Sequence, residues 1–72
     1  MKHTPMYYMM KYNRIMKQND MVLTVDMNSD NTIKHFIVLH HGIVNGKKNI
    51  INASPKIYND SELHQYIMAN NK

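Results

Sequence analysis

Apolar and polar positions recur along this chain in two periods, and the switches between them mark its elements. Thr4-Pro5 opens the first, with Thr suited to a helix cap and Pro to the first helical position. Tyr8, Met9, Tyr12, Ile15 and Met16 follow at helical spacing, and Lys11, Arg14, Lys17 and Gln18 fall on the other side. The spacing predicts a helix running to a break at Asn19-Asp20. Its Met-rich stripe is expected in the core, where Met fills irregular gaps, or as an adaptable docking face for a partner. The tyrosine pair also suits a competing edge strand through Met6–Met10.

The period then changes to two. Met21, Leu23, Val25 and Met27 alternate with Val22, Thr24 and Asp26, which predicts a strand. Asn28-Ser29-Asp30-Asn31 is a dense turn cluster. The next run, Thr32 to Leu39, is the most apolar in the chain. Ile33, Ile37 and Leu39 point one way and Phe36 and Val38 the other, as expected of a strand in the middle of a sheet. Gly42 interrupts this run as an expected bulge, and Ile43-Val44 continue it. Asn45-Gly46 is the strongest two-residue hairpin signal present, so Lys48 to Asn52 should return as the partner strand.

Pro55 ends that strand because it cannot donate to a ladder. Asn59 then caps a second helix, with Glu62 three residues on as its reciprocal partner. Leu63, Tyr66 and Ile67 form the apolar stripe of this helix, which is expected to fray at Asn70-Asn71-Lys72. The predicted fold is a single small α+β domain over residues 1–72. An antiparallel sheet of three or four strands is flanked by an amino-terminal and a carboxy-terminal helix.

Composition narrows what such a domain can do. Leu, Ile, Val and Phe together make sixteen of 72 residues, just above the level at which disorder becomes the default. Eight Met and five Tyr raise the apolar share to 43%, so a core is attainable but thin. Cys is absent, which excludes a disulfide framework, a thiolate metal site and a cysteine nucleophile. No apolar run is long enough to span a bilayer, and the first residues lack a signal-peptide hydrophobic stretch, so a cytoplasmic protein is expected. The abundance of Asn, Lys and Ile is common in chains from AT-rich genomes, including phages and other mobile elements.

Nine basic residues against five acidic give a net charge of +4. That would favour phosphate or an acidic protein surface only weakly, since the basic residues are scattered. Arg14 is the sole arginine, which argues against base readout by guanidinium forks. Lys11, Arg14 and Lys17 on the first helix and Lys47-Lys48 at the hairpin tip are the candidates for a nucleic-acid contact; surface lysines that keep a small protein soluble explain them equally.

Of the five histidines, His3 and His64 could contribute to a metal site only from the termini, and no pair of the other three can share an ion unless the chain bends sharply at Gly42. His35 and His40 face opposite ways, as do His40 and His41, while His35 and His41 share a face about 20 Å apart at ~3.3 Å per residue. Asp26 and Asp30 flank a turn, and Asp60 and Glu62 sit at a helix start where negative charge suits the dipole. Ser29, Ser54 and Ser61 are each explained by a turn or a cap. Two glycines cannot build a phosphate-cradling loop, so no cofactor is expected.

One constellation is more specific. His40-His41-Gly42-Ile43-Val44-Asn45-Gly46 is followed by Ile50-Ile51-Asn52-Ala53-Ser54-Pro55 and then Ser61-Glu62-Leu63. Together with Asn19-Asp20-Met21-Val22-Leu23, this resembles the second half of NlpC-type papain-like cysteine peptidases, over about 40 residues. The resemblance implies His40 in the general-base position and Asn52 in the position that orients it. The chain departs from the family in having no Cys nucleophile, in carrying Asn19 where the upstream motif has Gly, and in a longer stretch from Asp20 to His40. A base without a nucleophile does not cleave amides, so a non-catalytic remnant is what the resemblance implies.

The expectation is therefore a non-enzymatic protein that binds a larger protein or complex, plausible as an inhibitor or regulator, with self-association into a homodimer expected of so thin a core. A nucleic-acid-binding module is the alternative, and no membrane partner is expected. The residues expected to carry binding are Lys11, Arg14, Lys17, His40, Lys47, Lys48 and Asn52.

Overall fold

A computed structural model describes residues 3–72. The element order is α1 (Pro5–Lys11), α2 (Asn13–Gln18), β1 (Met21–Met27), β2 (Ile33–Val44), β3 (Lys47–Ala53) and α3 (Asp60–Ala69). The three strands form one antiparallel sheet in the order β1-β2-β3, so β2 is central, as its two apolar faces require. The fold is α+β with helices at both ends of the chain.

The predicted first helix is two. Thr4 caps α1 by accepting from the Tyr7 N–H, and Pro5 takes the first position, but the helix breaks at Tyr12. Its bonding is nearly continuous across the break, through Tyr12 N–H to Tyr8 carbonyl and Met16 N–H to Tyr12 carbonyl. The cause lies in the spacing of the buried residues. Tyr8, Tyr12 and Met16 are all buried, and in a straight helix each i+4 step rotates by about 40° away from the core. The break resets that phase. Met9, expected in the core, lies on the rim instead and is 40% exposed.

β1 pairs with β2 from Met21↔His40 to Met27↔Ile33. The intervening turn is closed by Asn28 N–H to the Thr32 carbonyl at 2.8 Å, with Asn31 at positive φ. The Thr32 hydroxyl and N–H both bond the Asp30 carboxylate and hold it below its ordinary pKa. The β2–β3 turn is the hairpin the sequence predicts, with Asn45 at φ 52° and Gly46 at φ 78°, the paired positive angles of a type I′ turn. The bulge sits on the partner strand. His40 pairs with Asn52 and His41 with Ile50, which leaves Ile51 as the extra residue of β3. Gly42 makes room for it, because a Cβ there would stand 2.7 Å from Ile51 Cδ1.

After Ala53 the chain changes how it serves β2. Ser54 N–H donates to the Val38 carbonyl, and the Ser54 hydroxyl accepts the Val38 N–H, both at 2.8 Å. A side chain thereby completes the ladder just before Pro55, which has no N–H to give. Ile57 then pairs again with Phe36. Asn59 and Glu62 form the expected reciprocal cap of α3, with Glu62 N–H to Asn59 Oδ1 at 2.8 Å and Asn59 Nδ2 to Glu62 Oε1 at 2.9 Å.

All the helices pack on one face of the sheet. Tyr8, Tyr12, Met16, Leu63 and Ile67 meet Met21, Leu23, Phe36, Val38 and Ile57 in one cluster, in which Phe36 edges onto Tyr8 at a ring separation of 4.9 Å. The opposite face carries Val22, Thr24, Ile37, Leu39, Ile43 and Ile50 without a helix over it. Among the described residues no helix is long and apolar enough to cross a membrane.

Candidate functional site

His40 and Asn52 stand directly opposite each other across β2 and β3, yet their side chains serve different partners. The Asn52 amide oxygen accepts the Ala53 N–H at 2.9 Å. His40 Nε2 lies 2.6 Å from the hydroxyl of Tyr66, delivered by the middle of α3. Burial raises the Tyr66 pKa, so its hydroxyl stays protonated where it shares this hydrogen bond with the imidazole. The residue that orients His40 is thus Tyr66, whose i, i+3 spacing from Leu63 marks it only as part of a core stripe.

His40 and His41 open on a polar cleft of about 340 Å³, bounded by Gln18, Asn19 and Asp20 after α2 and by Asn70 and Lys72 after α3. The two helices end here by the same device. Asn19 Nδ2 bonds the Ile15 carbonyl at 2.9 Å, and Asn70 Nδ2 bonds the Tyr66 carbonyl at 2.8 Å. Asn19 also donates to Asn71 Oδ1 and accepts the Lys72 N–H. α3 ends at Ala69 with Asn70 as its cap, where the end of the helix was expected, and Asn71 and Lys72 beyond it are hydrogen-bonded to Asn19. The Asn19 and Asn70 amides are engaged at these helix ends, and His41 Nδ1 is buried without a partner. Among the described residues no three His, Cys, Asp or Glu side chains gather for a metal ion.

The remaining polar contacts tie elements together. Tyr8 donates to both oxygens of Asp60, at 2.9 and 3.0 Å, tying α1 to the first turn of α3. Burial, then the Asp60 carboxylate, push its pKa up to about 12. Tyr12 meets His64 Nδ1 at 3.0 Å. His35 is buried on the open face of the sheet beneath Tyr58, with Nε2 3.6 Å from Asp26 and Nδ1 unpartnered.

The basic residues expected to carry binding divide between the first helical segment and the hairpin. Lys47 and Lys48 lie at the hairpin tip, where Lys48 pairs with Asp20 at 3.5 Å, an exposed contact of little energetic weight. Lys11 lies over the rings of Tyr7 and Tyr12. Lys17 borders a second hollow of about 240 Å³ between the helical pair and β1, lined by Met9, Asn13, Met16, Met21, Val22 and Leu23. This groove is apolar, open, and bounded by the free edge of β1. Met6 and Met10 stand exposed on the same helical segment. The sequence signal for this surface was the methionine run itself; its division into buried Met16 and accessible Met9 comes from the break at Tyr12. Comparison with protein-family models, with curated proteins and with solved structures finds no match for this chain.

Proposed function

We propose that this chain acts by binding another protein and not by catalysis, and that the methionine groove receives an acidic, amphipathic segment of the larger partner. The observation that carries the proposal is a conjunction on one surface. An apolar groove lined by flexible methionines adjoins a stretch, His3 to Asn19, with no acidic residue and with Lys11, Arg14 and Lys17 exposed. Met adapts to varied apolar anchors, and the Lys17 ammonium at the groove's border favours a carboxylate at the flank of the bound segment. The His40–Tyr66 pair fits the same reading, since the imidazole is engaged by a side chain that ties α3 to β2. Occupying a surface in this way is the action of an inhibitor or regulator.

Methyl-labelled methionine gives a direct test. Titration with an acidic amphipathic peptide should move the methyl resonances of Met9, Met16 and Met21, and a peptide with its acids replaced by lysines should leave them in place. Lys17→Glu should weaken the acidic peptide by about tenfold, the scale of 1–2 kcal/mol for a lost charge contact. Equal binding of both peptides would refute the proposal. So would a single-stranded oligonucleotide that moves the same resonances more strongly and loses affinity steeply with salt, which would make the surface a nucleic-acid contact.

A further inference from the structure

The arm formed by β2 and β3 ends in the part of the molecule least held by the rest. β1 stops pairing at Met21↔His40, so from His41 to Val44 strand β2 has only β3 beside it. Such a two-stranded ribbon is of marginal stability in water by itself. At its tip stands Asn45-Gly46, both residues exposed, with φ 52° and 78°. The last ladder pair is Val44↔Lys47, so the Gly46 N–H lies outside the ladder, and no other described group accepts it. A Cβ built on Gly46 would meet nothing within 4 Å.

The other asparagines are placed differently. Of the ten in the chain, seven have a side-chain hydrogen bond among the described residues, as Asn19 and Asn59 do at their helix ends. Asn13, Asn31 and Asn45 have none among them. Asn13 is held within α2 and precedes Arg14. Asn31 precedes the β-branched Thr32, whose N–H is already engaged by the Asp30 carboxylate at 3.1 Å. Asn45 alone combines an unengaged side-chain amide, a following N–H without a partner, and a following residue that has no side chain to hinder approach.

We infer that Asn45 is a self-modification site, its amide converted to a carboxylate by ring closure onto the Gly46 nitrogen, with water as the co-reactant. The Gly46 nitrogen gives up its proton and attacks Asn45 Cγ. The bond from Cγ to Nδ2 breaks, and Nδ2 takes up a proton and leaves as ammonia. Water then opens the five-membered imide at one of its two carbonyls. Opening at Cγ yields aspartate, which suits the same turn, since Asp-Gly and Asn-Gly share its preference for positive φ. Opening at the main-chain carbonyl yields a β-aspartyl linkage, which adds one carbon to the backbone of the turn. Either product lowers the net charge of +4 by one, next to Lys47 and Lys48, and weakens the tip's attraction for an anionic surface. The closed turn fixes the Asn45 backbone, so ring closure waits on opening of the ribbon, which its marginal stability makes frequent. The site shares no residue with the methionine groove, and each proposal stands or falls without the other.

Ageing the full chain at mildly alkaline pH, followed by peptide mass spectrometry, locates the conversion. Asn45 should convert at least about tenfold faster than Asn13 or Asn31, a barrier lower by ~1.4 kcal/mol. Its rate should lie within about tenfold of that in a free peptide of residues 41–50, because opening the ribbon costs little. A β-aspartyl product should accompany the aspartate, since the imide opens on both sides. Conversion at Asn13 or Asn31 as fast as at Asn45 would overturn the inference. So would an Asn45 amide that outlasts the free peptide's by more than about a hundredfold, which would mean that the turn locks it. Aspartate without any β-aspartyl product would mean direct hydrolysis of the amide and would overturn the ring closure.

Discussion

The packed body and the hairpin arm are built from the same strands and treat their side chains in opposite ways. Around Phe36, apolar groups are fully buried and the polar groups on the helix-covered face are bonded in pairs: Tyr8 to Asp60, Tyr12 to His64, and Ser54 to the backbone of Val38. Beyond His41, the same central strand carries Ile43 and Val44 into solvent, opposite a strand with no buried residue. Burial is where this thin core gains its stability, and the arm contributes almost none.

That contrast can be broken most sharply in the body. Phe36→Ala removes a fully buried ring at the centre of the cluster and is expected to cost about 3–5 kcal/mol, which for so small a domain approaches its whole stability. Circular dichroism should show the variant largely unfolded at 37 °C.

Tyr8→Phe is the next largest, at about 1–3 kcal/mol for a hydrogen bond to a charged acceptor, read as a shift in urea midpoint. It should also change the alkaline limb of stability. The folded-state pKa of Tyr8 lies near 12, above the ordinary 10.0, so the phenol contributes fully below pH 10 and its contribution is lost as the pH rises towards 12. Wild-type stability should fall over that window, and the Phe variant should lose much of the dependence.

Asn19→Ala tests the junction at the ends of α2 and α3. The change removes bonds to Ile15, Asn71 and Lys72 at a partly exposed site and should cost about 0.5–1.5 kcal/mol, with amide exchange accelerated in the last turn of α3. The smallest effect belongs to the arm. Ile43→Ser should move the stability of the monomer by no more than about 0.5 kcal/mol, measured under dilute conditions. A loss as large as that of Phe36→Ala would erase the distinction between the two regions.

How much of this was legible in the sequence follows the range of the interactions. Asn45-Gly46 and the Asn59–Glu62 cap act over two or three residues, and both take the geometry their spacing predicts. The central place of β2 was legible because a strand apolar on both faces has one kind of home. The features that were missed are long-range. Tyr66 finds His40 across 26 residues, and Lys72 finds Asn19 across 53, and no local pattern marks either pairing. The break at Tyr12 and the exposure of Met9 follow from which residues α1 and α2 must present to a sheet that the helical period alone does not describe. The bulge was expected on Gly42, yet Gly42 is the space and Ile51 the residue that fills it. For the candidate site, Lys17 was named from its place on a polar helical face. Its methionine neighbours Met16 and Met21 belong to a groove that exists only once α2 lies against β1.

The bulge at Ile51 has a consequence for the handedness of the arm. An extra residue on one strand bends it and increases the local twist, so the bulge helps set the direction in which the tip at Asn45-Gly46 points. Evolution could redirect that tip by sliding, deleting or duplicating one aliphatic position, leaving Phe36 and its neighbours untouched. Steering and folding would then be governed by different residues.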